Sequence, residues 1–306
     1  MAVVVHELDV PRRNNCCSAE FACPHFTLEH DNPVLFLQPQ VRKFHISYVI
    51  YRCLAALYFI IIFIYNVSTY EHGAKYLIFI SNWSYITLTL HLVILALTST
   101  TSYLKFKREA GYATSACNSH MHGYLKLSWA LFNIATNSAL CMMVLYWILV
   151  YRAETTKLNI TTVSAHLLNA MVVLVDLFVV AIPVRLLHMY IPMVYATVYL
   201  IFAPIYWAAG GSNTADEYNH ICSPMEYTNI PEVAAAESIA IVVLVIPLMH
   251  SVVFCLYKLR LCIYGVAGVE YILQNQTQQQ DALPQQASVA VNAKERATFD
   301  HTPIIV

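Results

Sequence analysis

Residues 46–66 read ISYVIYRCLAALYFIIIFIYN and contain a single charged side chain, Arg52. An α-helix needs about 20 mostly apolar residues to cross the roughly 30 Å of hydrocarbon in a bilayer. Apolar side chains surround most of this helix, which is typical of a helix in contact with lipid. The stretch therefore predicts a membrane-spanning helix.

Further apolar stretches of similar length follow along the chain. We predict an all-α fold, a bundle of about six transmembrane helices with disordered cytosolic tails. Its parts are a tail at residues 1–45, a transmembrane domain at 46–257 and a glutamine-rich tail at 258–306. The five spans after the first are expected at residues 76–98, 127–150, 163–183, 188–208 and 233–257.

The composition agrees with a membrane protein. Of the 306 residues, 58% are hydrophobic and only 11% are charged, whereas a soluble domain carries about 25% charged residues. A net charge of −1 gives no electrostatic reason to expect nucleic acid as a partner. Cys53, Cys141 and Cys255 lie inside apolar stretches, where a thiol acts as a small hydrophobe, and we predict neither a metal site nor a cofactor.

Lysine and arginine residues next to the spans predict the orientation, because they concentrate on the cytosolic side. With a cytosolic N-terminus, the inner segments hold Arg42, Lys43, Lys105, Lys107, Arg108, Lys126, Arg185, Lys258 and Arg260. The outer segments then hold only Lys75, Arg152 and Lys157. Both termini are therefore expected in the cytosol, with the plasma membrane favoured and the endoplasmic reticulum as the alternative.

The C-terminal tail offers one motif for a partner. Residues 274–286 are rich in glutamine and too polar to fold alone. The chain ends in Ile304-Ile305-Val306, a type of ending that can add a strand to a PDZ-type domain. Membrane lipid is the other expected partner.

Several polar residues lie within the spans, where an ionisable group costs about 2.5–3.5 kcal/mol on insertion scales. One explanation is a polar pocket inside the bundle, and the other is hydrogen bonding between helices. The pocket is favoured for Asp176 and His91, whereas packing is favoured for Arg52, whose long side chain can extend to the membrane surface. The candidate binding residues are Asp176, His91, Asn133, Asn137 and Asn169.

Helical spacing strengthens this grouping. His166, Asn169, Val173 and Asp176 follow one another at intervals that place them on one face of the fourth span. Asn133 and Asn137 are four residues apart and share a face of the third span. These stripes are expected to point into the bundle.

The segments LIFISNWSYITLTLHLVILAL, SWALFNIATNSALCMMVLYW and, above all, SAHLLNAMVVLVDLFVVAIPVRLLHMYIPMVYATVYLIFAPIYWAAGG carry a family resemblance. Together, over residues 74–211, they resemble the rolling stone family of multi-pass membrane proteins, which takes its name from an insect protein implicated in myoblast fusion. The resemblance implies a non-enzymatic plasma-membrane protein in cell–cell fusion or a related developmental process.

That family is distantly similar to the androgen-induced, FAR-17a-like membrane proteins, some of which hydrolyse fatty-acid esters with a threonine and a histidine. A histidine base can activate such a hydroxyl. Their threonine follows a Lys-Tyr-Leu-like stretch, but Ile78 follows that stretch here, which leaves Ser81 as the nearby hydroxyl and His166 as the candidate histidine. An intramembrane lipid hydrolase is therefore the alternative function, and a small proton-coupled transporter centred on Asp176 and His91 is a third.

Overall fold

The computed structural model describes residues 20–21, 23–40, 45–109, 120–151, 160–213, 221 and 227–265. Within them, six helices are long and apolar enough to cross a membrane, which confirms the predicted all-α fold. The first eight residues of the predicted C-terminal tail, 258–265, are helical instead of disordered. The rest of that tail, including Ile304-Ile305-Val306, lies outside the described residues. The helices are α1 (Ile46–Thr69), α2 (Ile80–Arg108), α3 (Gly123–Ile148), α4 (Ile160–Val179), α5 (Leu186–Ala208) and α6 (Pro231–Gly265).

Most helix boundaries differ from the sequence-based expectation, the largest difference being the end of α2 at Arg108 instead of residue 98. Two of the differences have a clear local reason. Helix α2 begins at Ile80 because Gly73–Ile78 forms a 3-10 helix in front of it. Helix α4 ends at Val179, four residues before the expected end at Pro183. Proline lacks an N–H and disfavours helical geometry in the residue before it, so residues 180–185 are extended rather than helical.

Helices α2 and α3 form the centre of the bundle. Helix α2 packs against α1 and α3, and α3 also packs against α4 and α5. The main core is assembled from apolar side chains of several of these helices, among them Phe59 of α1, Leu92 of α2 and Leu177 of α4. The chain divides into two compact units, Met1–Arg260 and Leu261–Val306; residues 261–265 of the second are helical.

The linker between α4 and α5, residues 180–185, marks one end of the bundle, which we call the linker end. The opposite end carries the connections that follow α1, α3 and α5, and we call it the loop end. Val180, Ile182 and Val184 of the linker are buried. A buried stretch of extended backbone has to find hydrogen-bond partners for its carbonyl groups, and this requirement organises the linker end.

Part of the segment before α1 folds across the linker end and does not form a free tail. It contains the 3-10 helices Cys23–Phe26 and Pro33–Phe36, and Pro39 forms an antiparallel bridge with Val180. The ring of Phe36 is buried and meets the Trp129 ring edge-on at 5.0 Å. Apolar burial and backbone pairing thus fix part of a segment that we predicted from the sequence to be a disordered tail.

At the loop end, aromatic residues form a second apolar cluster around Tyr199, Ala203 and Tyr227. Tyr199 donates a hydrogen bond to the carbonyl of Ile78 at 2.8 Å. The Lys75 ammonium donates to the Ser212 hydroxyl at 3.2 Å. These contacts tie the connection before α2 to the residues that follow α5.

Gly211, at the loop end, leaves no room for a side chain. A Cβ atom there would lie 2.4 Å from the ring of Tyr206, whose hydroxyl donates to the Ser212 carbonyl at 2.8 Å. We expect Gly211→Ala to move that ring, break the hydrogen bond and lower the free energy of unfolding by about 1 kcal/mol. Chemical unfolding of the purified protein in detergent measures this loss.

Gly123→Ala is the matched control, because a Cβ atom at Gly123 has nothing within 4 Å. Alanine favours the helix there, so this variant should be as stable as the wild type or slightly more so. Equal stability of the Gly211→Ala and Gly123→Ala variants would contradict the assigned contact.

Candidate functional site

A buried ion pair joins α1 to α4 near the linker end. Arg52 Nη1 lies 2.7 Å from both carboxylate oxygens of Asp176, and the Tyr51 hydroxyl donates to Asp176 Oδ1 at 2.6 Å. Arg52 is 0% exposed and Asp176 is 2% exposed. Because the two charges neutralise each other, the pair can remain ionised inside the bundle.

Arg52 therefore points into the bundle, whereas from the sequence we expected its side chain to extend to the membrane surface. Its guanidinium lies over the rings of Tyr48 and Tyr51, at 4.8 and 5.1 Å from their centroids. Cation–π contacts of this kind stabilise a cation removed from water. The sequence carried a usable signal for the pair, since a lone arginine and a lone aspartate lie close to the same end of two antiparallel spans.

His91, the second residue expected to be functional, lies in the middle of α2 and is 1% exposed. Its ring lies 5.6 Å from the ring of Phe132 on α3, centroid to centroid. It is within electrostatic range of both Asp176 and Arg52 but forms no hydrogen bond with either among the described residues. The structure thus places His91 and Asp176 in one region of the bundle.

Asn133 and Asn137 share a face of α3, as expected, and they act in packing. Asn133 Nδ2 donates to the carbonyl of Trp129 at 2.9 Å, and Asn137 Nδ2 donates to that of Asn133 at 2.8 Å. Asn137 Nδ2 also lies 3.0 Å from Nδ1 of His250 on α6. Asn137 thereby connects α3 to α6, whereas the bond that Asn133 donates stays within α3.

Asn169, the remaining binding candidate, connects α4 to α2. Its Nδ2 donates to the Ser84 hydroxyl at 3.4 Å, and Ser84 donates to the Ser138 hydroxyl of α3 at 3.0 Å. A separate bond of 2.9 Å joins Tyr58 of α1 to Ser164 of α4. Polar side chains in this half of the bundle therefore bind one another across helices, as in other membrane bundles.

The two candidate catalytic residues, Ser81 and His166, form no hydrogen bond with each other in the described part of the chain. Ser81 is the second residue of α2. His166 lies in the π-helical turn Ser164–Leu168 and stacks flat on Tyr146, with 3.7 Å between ring centroids. A nucleophile and its base need hydrogen-bond contact, directly or through one water.

A shallow groove opens between α2 and α5 near the loop end, with a volume of about 210 Å³. At its wall, the Thr87 hydroxyl contacts the Tyr195 hydroxyl at 3.3 Å. The groove is otherwise apolar, and neither Ser81 nor His166 lines it. It therefore does not supply a substrate pocket for that pair. Its lining residues are Leu77, Trp83, Ile86, Thr87 and Tyr195.

Arg260 has a role that the sequence did not reveal, because it lies beyond the predicted sixth span. This fully buried guanidinium donates from Nη1 to the carbonyls of Leu177 and Val180, at 2.8 and 2.6 Å, and from Nη2 to Ile182 at 3.0 Å. It thereby satisfies carbonyl groups at the end of α4 and in the linker. A cation is also favourable at the negative end of a helix dipole.

Two further side chains complete the support of the linker. Trp129 Nε1 donates to the Pro183 carbonyl at 2.8 Å, and His250 Nε2 lies 2.9 Å from the Arg185 carbonyl. Arg185 itself donates to the Thr27 carbonyl of the N-terminal segment at 2.9 Å. Burial lowers the pKa of Arg185 from its ordinary value.

Ion pairs also hold the N-terminal segment to the linker end. Glu29 pairs with Lys126 of α3, and Glu20 pairs with Lys258 of α6 at 2.6 Å. The described residues contain no group of three or more histidine, cysteine, aspartate or glutamate side chains close enough to hold a metal ion. The charged groups of this region therefore serve to hold segments together.

Comparison with known proteins places these features in a family. A family model described as protein rolling stone matches residues 14–271. Protein rolling stone of Drosophila melanogaster is 27% identical over 246 residues, which cover 77% of this chain and 86% of the fly protein. No solved structure matches the chain. Because the family model covers most of the sequence, including all six helices and the Arg52–Asp176 pair, the chain belongs to the rolling stone family.

Proposed function

We propose that this chain is a non-enzymatic protein of the plasma membrane that acts in cell–cell fusion of the myoblast type, or in a related developmental process. The observation that carries this proposal is membership of the rolling stone family, with a match from residue 14 to residue 271. The spans, the loop end and the N-terminal segment from Glu20 onwards all fall within that match, so the role is assigned to the whole membrane domain.

The geometry of the polar residues supports a role without catalysis. Asp176 is neutralised by Arg52. Asn137 and Asn169 contact neighbouring helices, and Asn133 bonds within its own helix. Pairing with Arg52 also weighs against a transport cycle in which Asp176 would take up and release a proton. The interior of the bundle is thus suited to holding one arrangement of helices.

Depletion of the protein in fusion-competent cells that express it is expected to reduce the number of multinucleate cells. Re-expression of the wild-type chain should restore fusion. The Ser81→Ala variant should restore it equally well, because a non-enzymatic protein does not need that hydroxyl. Counting nuclei per cell after mixing two differently labelled populations measures the effect.

Two results would overturn the proposal. Unchanged fusion after depletion would remove the role in fusion. The second result is labelling of the wild-type chain by an activity-based probe for serine and threonine hydrolases. If that labelling is lost in both Ser81→Ala and His166→Ala, the protein is the alternative lipid hydrolase. Ser68→Ala is the matched control for labelling, because Ser68 is exposed and its hydroxyl bonds to the Tyr65 carbonyl of its own helix.

A further inference from the structure

The register of α2 and α4 brings His91 level with the ion pair. Ser84 and Asn169 are joined by the hydrogen bond described above, and both helices run from the loop end to the linker end. His91 follows Ser84 by seven residues, and Asp176 follows Asn169 by seven residues. Seven residues make about two turns and return to the same face, so His91 faces α4 at the depth of Asp176.

Several buried polar atoms in this region have no hydrogen-bond partner among the described residues. They are Nδ1 and Nε2 of His91, Nε and Nη2 of Arg52, and the hydroxyl oxygens of Ser99 and Ser128. His91 and Arg52 are both at least nine-tenths buried. The main chain of Ser128 lies beside the His91 ring and can pair with at most one of its two nitrogens. Buried polar groups in proteins are almost always paired, with protein or with ordered water.

Neighbouring contacts bring the helices that carry these residues together. Phe132, one turn after Ser128 on α3, touches the His91 ring. Thr100, next to Ser99 on α2, lies 3.7 Å from Cys53, next to Arg52 on α1, measured from Oγ1 to Sγ. Arg52 lies at the depth of His91 through its bond to Asp176, and Ser99 lies about two helical turns beyond His91 towards the linker end.

The chemistry of these atoms defines what they can bind. The free N–H groups of Arg52 can only donate, whereas serine hydroxyls and a histidine ring can donate and accept. A metal cation would satisfy only the acceptors and would be repelled by the Arg52 guanidinium. Water supplies donors and acceptors together, and a buried water normally makes about three hydrogen bonds to otherwise unsatisfied polar groups.

We propose that ordered water molecules bind between His91 and the Arg52–Asp176 pair and join α1, α2, α3 and α4 into one hydrogen-bonded network. This polar site would be a hydrated centre within the hydrocarbon layer, held by the side chains of His91, Arg52, Ser99 and Ser128. The assignment does not rest on the role in fusion, since it follows from the side chains of the bundle alone.

Radiolytic labelling of the full-length protein in lipid nanodiscs tests the proposal directly. An X-ray pulse converts bound water to hydroxyl radicals, which oxidise the side chains next to that water. We expect His91 and Phe132 to be oxidised several-fold faster than Phe59, a ring that is equally buried and packed on Tyr85. Oxidation of His91 and Phe132 no faster than that of Phe59 would overturn the proposal.

The thermal stability of a matched pair of variants provides the second test. In a dry site, His91→Leu would remove an unsatisfied ring and raise the unfolding temperature. In a hydrated site, the same change removes partners of the bound water, so we expect the unfolding temperature to fall by several degrees. His250→Leu, which removes a histidine bonded through both ring nitrogens, should lower it in either case. A higher unfolding temperature of the His91→Leu variant, together with a lower one of the His250→Leu control, would also overturn the proposal.

Discussion

Replacement of Asp176 with asparagine is expected to lower the free energy of unfolding by about 3–5 kcal/mol, the usual cost of removing one partner of a buried ion pair. The guanidinium of Arg52 would remain fully buried but would lose the carboxylate that lies 2.7 Å from it and neutralises its charge. The Tyr51 hydroxyl would also lose its charged acceptor. Titration of the purified protein from a native detergent into a denaturing one measures the change.

A double variant separates loss of the pair from simple loss of packing. Arg52→Met combined with Asp176→Leu removes both charges and keeps apolar volume, a change that is often neutral when the whole pair is replaced. We therefore expect the double variant to be more stable than Asp176→Asn alone. Glu29→Gln, which removes one partner of the exposed pair with Lys126, should cost about 1 kcal/mol or less. The ion-pair assignment fails if Asp176→Asn costs no more than Glu29→Gln.

Arg260→Met is expected to have the second large effect, a loss of about 3 kcal/mol. The reason is that three carbonyl oxygens, those of Leu177, Val180 and Ile182, would lose their charged donor, at about 1–3 kcal/mol for each unsatisfied group. Arg260→Lys should lose an intermediate amount of stability, because a compact ammonium cannot reach three carbonyl oxygens as a planar guanidinium does. The same unfolding titration measures both variants.

Lys258→Met is the matched control for Arg260→Met, since it removes a cation two residues away on the same helix. Lys258 is 34% exposed and pairs with Glu20, and such surface pairs contribute little to stability. If Lys258→Met lowers the free energy of unfolding as much as Arg260→Met does, net charge at the linker end matters more for stability than the bonds to the linker.

The membrane fold could be predicted because the bilayer imposes a simple rule on sequence. A helix satisfies its own backbone hydrogen bonds, and in lipid it needs only length and apolar side chains. All six predicted spans therefore correspond to helices, with displaced boundaries. The end of α4 could not be predicted in this way. The extended linker after Val179 depends on Arg260, Trp129 and His250, which lie on other helices.

The candidate site was predictable in part. The rarity of charge in the spans identified Asp176, and helical spacing placed Asn169 on the same face. Neither rule paired Asp176 with Arg52, 124 residues earlier. Their place near the same end of antiparallel spans made the pair possible, but the packing of α1 against α4 decides that the two residues meet. For the same reason the sequence could suggest Ser81 and His166 as a catalytic pair without showing whether they meet. Among the described residues they form no hydrogen bond with each other, and His166 stacks on Tyr146.

The sequence by itself determined that this chain crosses the membrane with six helices, that its interior holds buried polar residues, and that it resembles the rolling stone family. Each of these follows from residue type and spacing along one segment. Only the tertiary structure decided that Arg52 neutralises Asp176, that His91 lies level with that pair, and that the N-terminal segment folds across the linker end. These are contacts between distant segments, and their geometry exists only once the helices have packed.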